Sequence, residues 1–336
     1  MVYLFQNTLT YLIPLMIVAL AGVFAERSGI INIALEGIMI FGAFIGVAVV
    51  RILIQIGFTP ASGQLALIIT TILVMIFGAL FSLLLAFASI NLKADQTIGG
   101  TALNLLAPAL VIFIIDVIYN DSILGIGNKY SASDMFMLTQ KSFGFSSTAE
   151  LTTIQKMLFT KVYPTTFYAI ILFVVLSIIL YKTKFGLRLR SCGEHPQASD
   201  SLGINVYKMR YIGVIISGAL AAFGGFVYAL MAEGCATKGS VAGLGFLALA
   251  VMIFGNWKPL NIFGAALLFG ALKCISVGYA LIDINGDGIF SLKNIGISSD
   301  VYRMLPYIIT LIVLAFTSKR SRAPKAEGQP YDKGKR

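Results

Sequence analysis

Long apolar runs separated by short polar segments make up the chain from its first residues to about residue 318. The runs lack the alternation of apolar and polar residues that barrel strands show, and most approach the length of about 20 residues that a membrane-spanning helix needs. The pattern predicts about nine spans, with eight and ten as bounds. They are expected at residues 8–25, 30–50, 64–90, 97–118, 165–181, 209–231, 243–256, 259–281 and 304–318.

Composition places the chain in a bilayer. Its 336 residues are 58% hydrophobic and only 12% charged, with a mean hydropathy of +0.89, whereas soluble domains carry about a quarter charged residues. Backbone polar groups inside a bilayer must be satisfied internally, which leaves helices once barrel strands are excluded. We therefore predict an all-α fold, a polytopic transmembrane helical bundle. The run at 243–256 is short for a full span, so a re-entrant or discontinuous helix is expected there.

Basic residues cluster in the segment 182–210 and in the tail, 319–336. Loops rich in Lys and Arg stay in the cytoplasm, so both are predicted to face it. Counting the runs backwards puts the N-terminus and the polar stretch 119–164 on the extracytoplasmic side. The net charge of +10 then belongs to membrane edges rather than to a nucleic-acid surface. Residues 1–318 form the predicted membrane domain, and the polar tail is predicted to be disordered.

A short helix is predicted within the cytoplasmic segment, at His195–Leu202. Pro196 suits the first turn of a helix, where its missing N–H costs nothing. Gly203 is placed for a left-handed cap at the end. Ala198 and Leu202, four residues apart, give the helix a small apolar face. On these residues alone, an ordinary loop between two spans is an equally good interpretation.

From Gly186 to Ile204 the chain reads Gly-Leu-Arg-Leu-Arg-Ser-Cys-Gly-Glu-His-Pro-Gln-Ala-Ser-Asp-Ser-Leu-Gly-Ile. This stretch resembles the coupling-helix region of bacterial ABC importer permeases, in the branch that moves simple sugars and nucleosides. Three further stretches, at 26–39, 217–225 and 243–259, resemble signatures of the same family in the same order. The form Gly-Glu-His-Pro-Gln-Ala is most similar to the nucleoside-type permeases.

The resemblance implies the permease subunit of an ATP-driven importer for a nucleoside, with simple sugars and riboflavin as alternatives. Such a permease pairs with a second permease subunit, here a different one, and receives substrate from an extracytoplasmic binding lipoprotein. ATP is hydrolysed by a separate ATPase subunit, and this chain contains no Gly-x-x-x-x-Gly-Lys-Ser/Thr phosphate loop. No cofactor is expected in it. The residues implied to couple it to the ATPase are Glu194, His195, Pro196, Ala198, Leu202, Gly203 and Ile204.

Polar side chains inside the apolar runs are candidates for a substrate passage, because an ionisable residue inside the membrane indicates function. A polar strip on a broken helix is a typical lining. The candidates are Asn32, Glu36, Thr101 and Asn104, together with Phe246, which could stack on a base or simply contact lipid.

These candidates have structural alternatives. Glu36 could stay near the cytoplasmic edge and pair with Arg27, and Asn104 could bond to a neighbouring helix. Glu36, with Asp116 and Lys273, would also suit a rival function, that of a secondary transporter that needs no ATP.

The sequence offers little for other chemistry. No nucleophile is paired with a base, and the three cysteines and single histidine lack the spacing of metal ligands. We therefore expect neither an enzyme nor a metal site.

Overall fold

The computed structural model describes residues 2–127, 129–138, 162–279, 298–317 and 322–334, with the single residues 152 and 155. Helices make up nearly all of its regular structure. In chain order they are α1 (Val2–Glu26), α2 (Leu35–Ile56), α3 (Gly63–Ala86), α4 (Gln96–Ile114), α5 (Ala132–Phe136), α6 (Pro164–Lys182), α7 (Lys184–Glu194), α8 (Pro196–Ser201), α9 (Val206–Met231), α10 (Leu244–Phe254), α11 (Pro259–Gly278) and α12 (Ser299–Thr317). Two short strands, β1 (Leu124–Gly125) and β2 (Ala236–Thr237), pair antiparallel.

Seven helices of the described part are long and apolar enough to cross a membrane, namely α1, α2, α3, α4, α6, α9 and α11. Single π-helical turns prolong α3 to Asn91 and α4 to Tyr119. The seven coincide with predicted spans, which confirms the polytopic helical fold. Helix α10 is only 11 residues long, as expected for the short run, and α12 covers the last predicted span. Much of the predicted loop at 119–164 lies outside the described residues.

Helix α9 forms the centre of the bundle and packs against α1, α2 and α3. Small residues let the backbones of membrane helices approach closely. A Cβ atom on Gly225 would lie only 2.0 Å from the backbone oxygen of Met39 in α2. Ser217, Ala221 and Gly225, the small-residue face that the sequence indicates, are all buried here.

The outer helices turn large apolar side chains away from the bundle. Leu105 of α4 is 70% exposed and Ile171 of α6 is 60% exposed. Apolar surface on this scale is not tolerated in water. It marks the sides of the bundle as the surface that meets lipid or other membrane-embedded subunits.

The two ends of the bundle differ. One end, here called the α8 end, carries the α1–α2 connection, the α3–α4 turn, α7, α8 and the segment 322–334. Ion pairs join these parts: Arg27 Nη1 lies 3.1 Å from Glu194 Oε1, and Lys93 Nζ lies 3.1 Å from Asp332 Oδ2. The opposite end carries α5 and the β1–β2 pair. The segments that the charge pattern assigns to one side of the membrane therefore lie together.

The prediction of a disordered tail is wrong for residues 322–334. Arg210 of α9 donates from Nη1 to the backbone oxygen of Gln329 (2.9 Å). Tyr331 is buried, and its ring centroid lies 5.2 Å from that of Tyr207. The polar composition favours disorder, but the segment gains order because a buried guanidinium needs an acceptor and an aromatic ring fills the gap beside it.

Candidate translocation and coupling site

The connection between α1 and α2 is non-helical and runs into the bundle rather than across its end. Ile31 N–H donates to Gln96 Oε1 (2.7 Å) at the first residue of α4, whereas Ile33 O accepts from Asn104 Nδ2 (2.9 Å). About 12 Å of helix separates Gln96 from Asn104. The start of α2 therefore lies about two helical turns inward from the α3–α4 turn at the α8 end of the bundle. Irregular backbone is tolerated at such a depth only where protein or a cavity surrounds it.

Glu36 joins the start of α2 to the start of α10. Its carboxylate accepts from Gly243 N–H at Oε1 (3.0 Å) and from Gly245 N–H at Oε2 (2.6 Å). These N–H groups belong to the N-terminus of α10, where the helix dipole favours negative charge. Gly245 permits the contact because a Cβ there would lie 2.4 Å from Glu36 Cα. Helices α2 and α10 thus both begin beside one buried carboxylate. The place where they begin, around Glu36 and Gly243, is called the break below.

Lys273 of α11 braces the same break. Its Nζ donates to the backbone oxygen of Ala242 (3.2 Å), a residue held at φ +53° just before α10. The ammonium attracts the Glu36 carboxylate and lies 6.0 Å from the ring centroid of Tyr307 in α12. The N-terminus of α10 is therefore held jointly by α2, α11 and α12.

Two of the predicted pathway residues hold the α1–α2 connection in place. Asn32 is fully buried and donates from Nδ2 to Ser217 Oγ of α9 (2.8 Å). Asn104 accepts from Gly37 N–H at Oδ1 (2.8 Å), besides its bond to Ile33 O. Asn104 therefore bonds α4 to the first turn of α2 and to the connection before it.

The other predicted pathway residues lie nearer the surface. Thr101 is exposed one helical turn before Asn104, and its hydroxyl donates to Thr97 O (2.8 Å). Phe246, in the first turn of α10, is 50% exposed. Glu36, Asn104, Thr101 and Phe246 therefore belong to elements that meet at the break, whereas Asn32 faces the bundle interior.

Pairing of Glu36 with Arg27 is wrong as an alternative. Arg27 Nη1 bonds instead to Glu194 Oε1 (3.1 Å), while Glu36 lies deeper and caps α10. Sequence spacing could not show whether Glu36 pairs with Arg27 or caps α10. The reason is that the non-helical connection between α1 and α2 advances further per residue than a helix does.

Helix α8 has the ends that the sequence predicts. Pro196 occupies its first turn, and Gly203 follows it with φ +79° while donating its N–H to Asp200 O (2.9 Å). Pro196 and Ser199 form the buried side of the helix. The helix is thereby fixed on α7 and α9 and presents its opposite face outward.

The outward face of α8 is mixed, because Gln197 and Ser201 are exposed beside apolar side chains. Leu202 is 82% exposed and Ala198 is exposed beside it. His195 is also exposed, whereas Ile204 is partly covered. Behind the helix Cys192 is fully buried, and this burial raises the pKa of its thiol. Leu202 directly follows the last residue of α8, so its exposed side chain lies at the C-terminal end of that helix.

Some contacts of the α8 end were missed by sequence reasoning. Trp257 is buried and donates from Nε1 to Glu26 Oε2 (2.5 Å). Asp95 caps α4 by accepting from Thr97 N–H and Ile98 N–H, and these bonds lower the pKa of Asp95. The Asp95 cap had a signal, an acidic residue before an apolar run, but nothing local predicts the pairing of Glu26 with Trp257.

Comparison with known proteins gives the family. The family described as "Branched-chain amino acid transport system / permease component" matches residues 4–314. The chain belongs to this family. Its permeases are subunits of ABC transporters and are not themselves enzymes, so the chain is the membrane-spanning permease subunit of an ABC importer. ATPase and binding-protein partners follow from that class in general terms. None of the solved structures compared with the chain matches it.

Several relatives are similar over nearly their whole length. The guanosine ABC transporter permease protein NupQ of Bacillus subtilis is 42% identical over 329 residues, covering 98% of this chain and 96% of NupQ. The nucleoside ABC transporter permease protein NupC of Lactococcus lactis is 39% identical over 331 residues, with 98% and 96% covered. The putative glucose ABC transporter permease protein TsgC13 of Haloferax volcanii is 27% identical, with 95% and 94% covered.

Proposed function

We propose that this permease translocates nucleosides into the cell. The observation that carries the proposal is the similarity over nearly the full length to permeases named for guanosine and for nucleosides, at 42% and 39% identity. The permease named for glucose is more distant, at 27% identity. The local form Gly-Glu-His-Pro-Gln-Ala of the coupling region also favours a nucleoside as the substrate.

The passage is proposed to lie at the break where α2 and α10 begin. Thr101 of α4 and Phe246 of α10 are both exposed, so a hydroxyl and an aromatic ring are available to a ligand. A nucleoside carries both a flat base that stacks on aromatic rings and a polar ribose. Glu36 and Asn104 shape this surface by fixing the two helix starts, and the buried Asn32 supports them from behind.

Coupling to the ATPase is proposed to run through α8. Ala198 and Leu202 form the outward face that would enter a cleft of the ATPase, and Gly203 sets the end of the helix. Glu194 acts within this chain, since its carboxylate already bonds to Arg27 (3.1 Å). ATP is hydrolysed by that partner, and this chain needs no cofactor of its own.

The same proposal gives the orientation of the chain in the membrane and its partner subunits. The α8 end and the C-terminal segment face the cytoplasm, and the N-terminus lies outside. A second, different permease subunit completes the passage, because the exposed Thr101 and Phe246 need a covering surface at this depth of the membrane. A binding lipoprotein delivers substrate at the opposite end, which carries a cavity of about 750 Å³ beside Arg51 and Tyr163.

An uptake panel tests the substrate. Cells expressing the complete transporter, and matched cells lacking only this chain, are supplied with labelled guanosine, cytidine, glucose or riboflavin. We expect uptake of the nucleosides to depend on this chain and uptake of glucose and riboflavin to be independent of it. Chain-dependent glucose uptake without nucleoside uptake would contradict the proposal and favour the sugar permeases.

A further inference from the structure

An apolar groove lies on the outer face of the bundle, away from the proposed passage. It has a volume of about 510 Å³ and runs between α6 and α11 over Met16 of α1. Its walls include Phe173, Val174, Ile178 and Tyr181 of α6 and Leu260 and Phe263 of α11. From Ile170 to Tyr181 the groove follows about 16 Å of helix, close to half the thickness of a bilayer core. The groove therefore has the length of one leaflet.

A basic cavity continues the groove at the α8 end. The cavity has a volume of about 470 Å³, and Tyr181 lines both it and the groove. The Tyr181 hydroxyl donates to Trp257 O, and the Arg190 guanidinium lies 4.9 Å from the centroid of the Tyr181 ring. The charged residues around the cavity are Arg27, Arg190, Lys258, Arg322, Lys325 and Glu194.

Most of this positive charge is not neutralised within the described part of the chain. The ion pairs found there are Arg27 with Glu194 and Lys93 with Asp332. Arg190, Lys258, Arg322 and Lys325 thus face one cavity without a carboxylate at ion-pair distance among the described residues. Basic pockets at the membrane edge between spanning helices bind anionic lipid headgroups.

We propose that the groove and the cavity together bind one anionic phospholipid. The phosphate occupies the basic cavity, and an acyl chain lies along the groove past Tyr181. An acidic surface of the ATPase would also match the cavity, but it would leave the adjoining groove without an explanation. The inference rests on membrane insertion and is independent of the substrate proposed above.

Such a lipid would join parts that are distant in sequence. The cavity is lined by α7, by the turn before α11 and by the segment 322–334, which Arg322 N–H ties to Asn256 Oδ1 (2.9 Å). A bound phosphate would hold these three parts together beside α8.

Native mass spectrometry of the complete transporter tests the proposal, with phosphatidylglycerol and phosphatidylcholine as probes. The test variant carries Lys258→Gln, Arg322→Gln and Lys325→Gln. The control carries Lys184→Gln, Arg188→Gln and Lys208→Gln, which removes equal charge from exposed positions at the same end. Each basic group near a membrane surface contributes about fivefold in lipid affinity, so the test variant should bind phosphatidylglycerol about 100-fold more weakly. The control should bind like the wild type.

A second variant keeps every charge and fills the groove. Val174→Trp adds bulk at a position that is 49% exposed, so the fold should tolerate it. We expect at least tenfold weaker retention of phosphatidylglycerol in this variant as well. Four results would overturn the proposal: equal retention of phosphatidylcholine by the wild type, unchanged retention in both variants, complete displacement by inorganic phosphate, or loss of the lipid whenever the ATPase subunit is bound.

Discussion

At the scale of single residues, Glu36 joins two helices that are far apart in the chain. A carboxylate inside the membrane is costly unless it is paired or hydrogen-bonded. Glu36 meets this need with backbone donors at the start of α10, on Gly243, Gly245 and Phe246, and with the nearby ammonium of Lys273. The same contacts determine where α2 and α10 begin. Its structural role is therefore to fix the start of α10 against the start of α2.

Replacing Glu36 by Gln should weaken the break. The Glu36 carboxylate has two acceptor oxygens, each bonded to a different backbone N–H at the start of α10. A glutamine amide has only one acceptor oxygen, so a charge-assisted bond is lost. The expected loss is about 2 kcal/mol in the free energy of unfolding and at least tenfold in uptake. Thermal unfolding of the purified transporter and nucleoside uptake measure both. The matched control is Glu233→Gln, an exposed carboxylate at the other end whose bond from Tyr228 Oη (2.8 Å) an amide oxygen can also accept. Equal behaviour of the two variants would contradict this role.

Glu327 lies in the C-terminal segment 322–334 and should make the docking of that segment on the bundle depend on pH. Burial raises the pKa of this carboxyl from 4.5 to about 7, and the neighbouring Arg27 opposes the rise. The Glu26 carboxylate also faces it. Between pH 4.5 and about pH 7, Glu327 carries a proton when the segment is docked but not when the segment is released. Docking is therefore strongest below about pH 4.5 and weakens as the pH rises through 7.

A nitroxide on Gly334→Cys reports the docking, since the three native cysteines are buried. The label should become more mobile between pH 5 and pH 8. Glu327→Gln should keep the label immobile at both values, because an amide stays uncharged. An identical rise in mobility in the Gln variant would show that another group titrates.

At the scale of elements, the packing of α9 against α2 depends on glycine. Gly225→Ala would push a methyl group to 2.0 Å from Met39 O, a backbone atom that cannot yield. Overpacking of this kind costs about 1–3 kcal/mol. Gly264→Ala in α11 meets nothing within 4 Å and should be neutral or slightly stabilising. Melting temperatures of the two variants check the expectation, and an equal shift in both would refute it.

The spans, the shortness of α10 and the ends of α8 were all predictable from sequence. Each depends on a local signal: apolar run length, Pro196 at a helix start, or Gly203 at a helix end. The partners of Glu36 and Glu194 were not predictable, since those contacts join residues far apart in the chain. The docked segment 322–334 was missed for the same reason, because its polar composition hides the contacts of Gln329 and Tyr331.

At the scale of the whole molecule, the fold separates two tasks. The break at Glu36 lies deep among α2, α4, α10 and α11, whereas the outward face of α8 lies at one end. Helix α9 connects them, since it follows α8 directly and packs along α1, α2 and α3. Movement of α8 by a nucleotide-driven partner would therefore be passed to the helices that form the break.

Transport by proteoliposomes containing the complete transporter tests this account most directly. Nucleoside uptake and ATP hydrolysis are measured together for the wild type, for Ala198→Trp on α8 and for Ile171→Trp on the exposed side of α6. The account predicts ATP-dependent uptake that Ala198→Trp abolishes, along with substrate-stimulated hydrolysis, while Ile171→Trp stays within about twofold of the wild type. Full uptake by Ala198→Trp, or uptake by this chain without the ATPase, would contradict it.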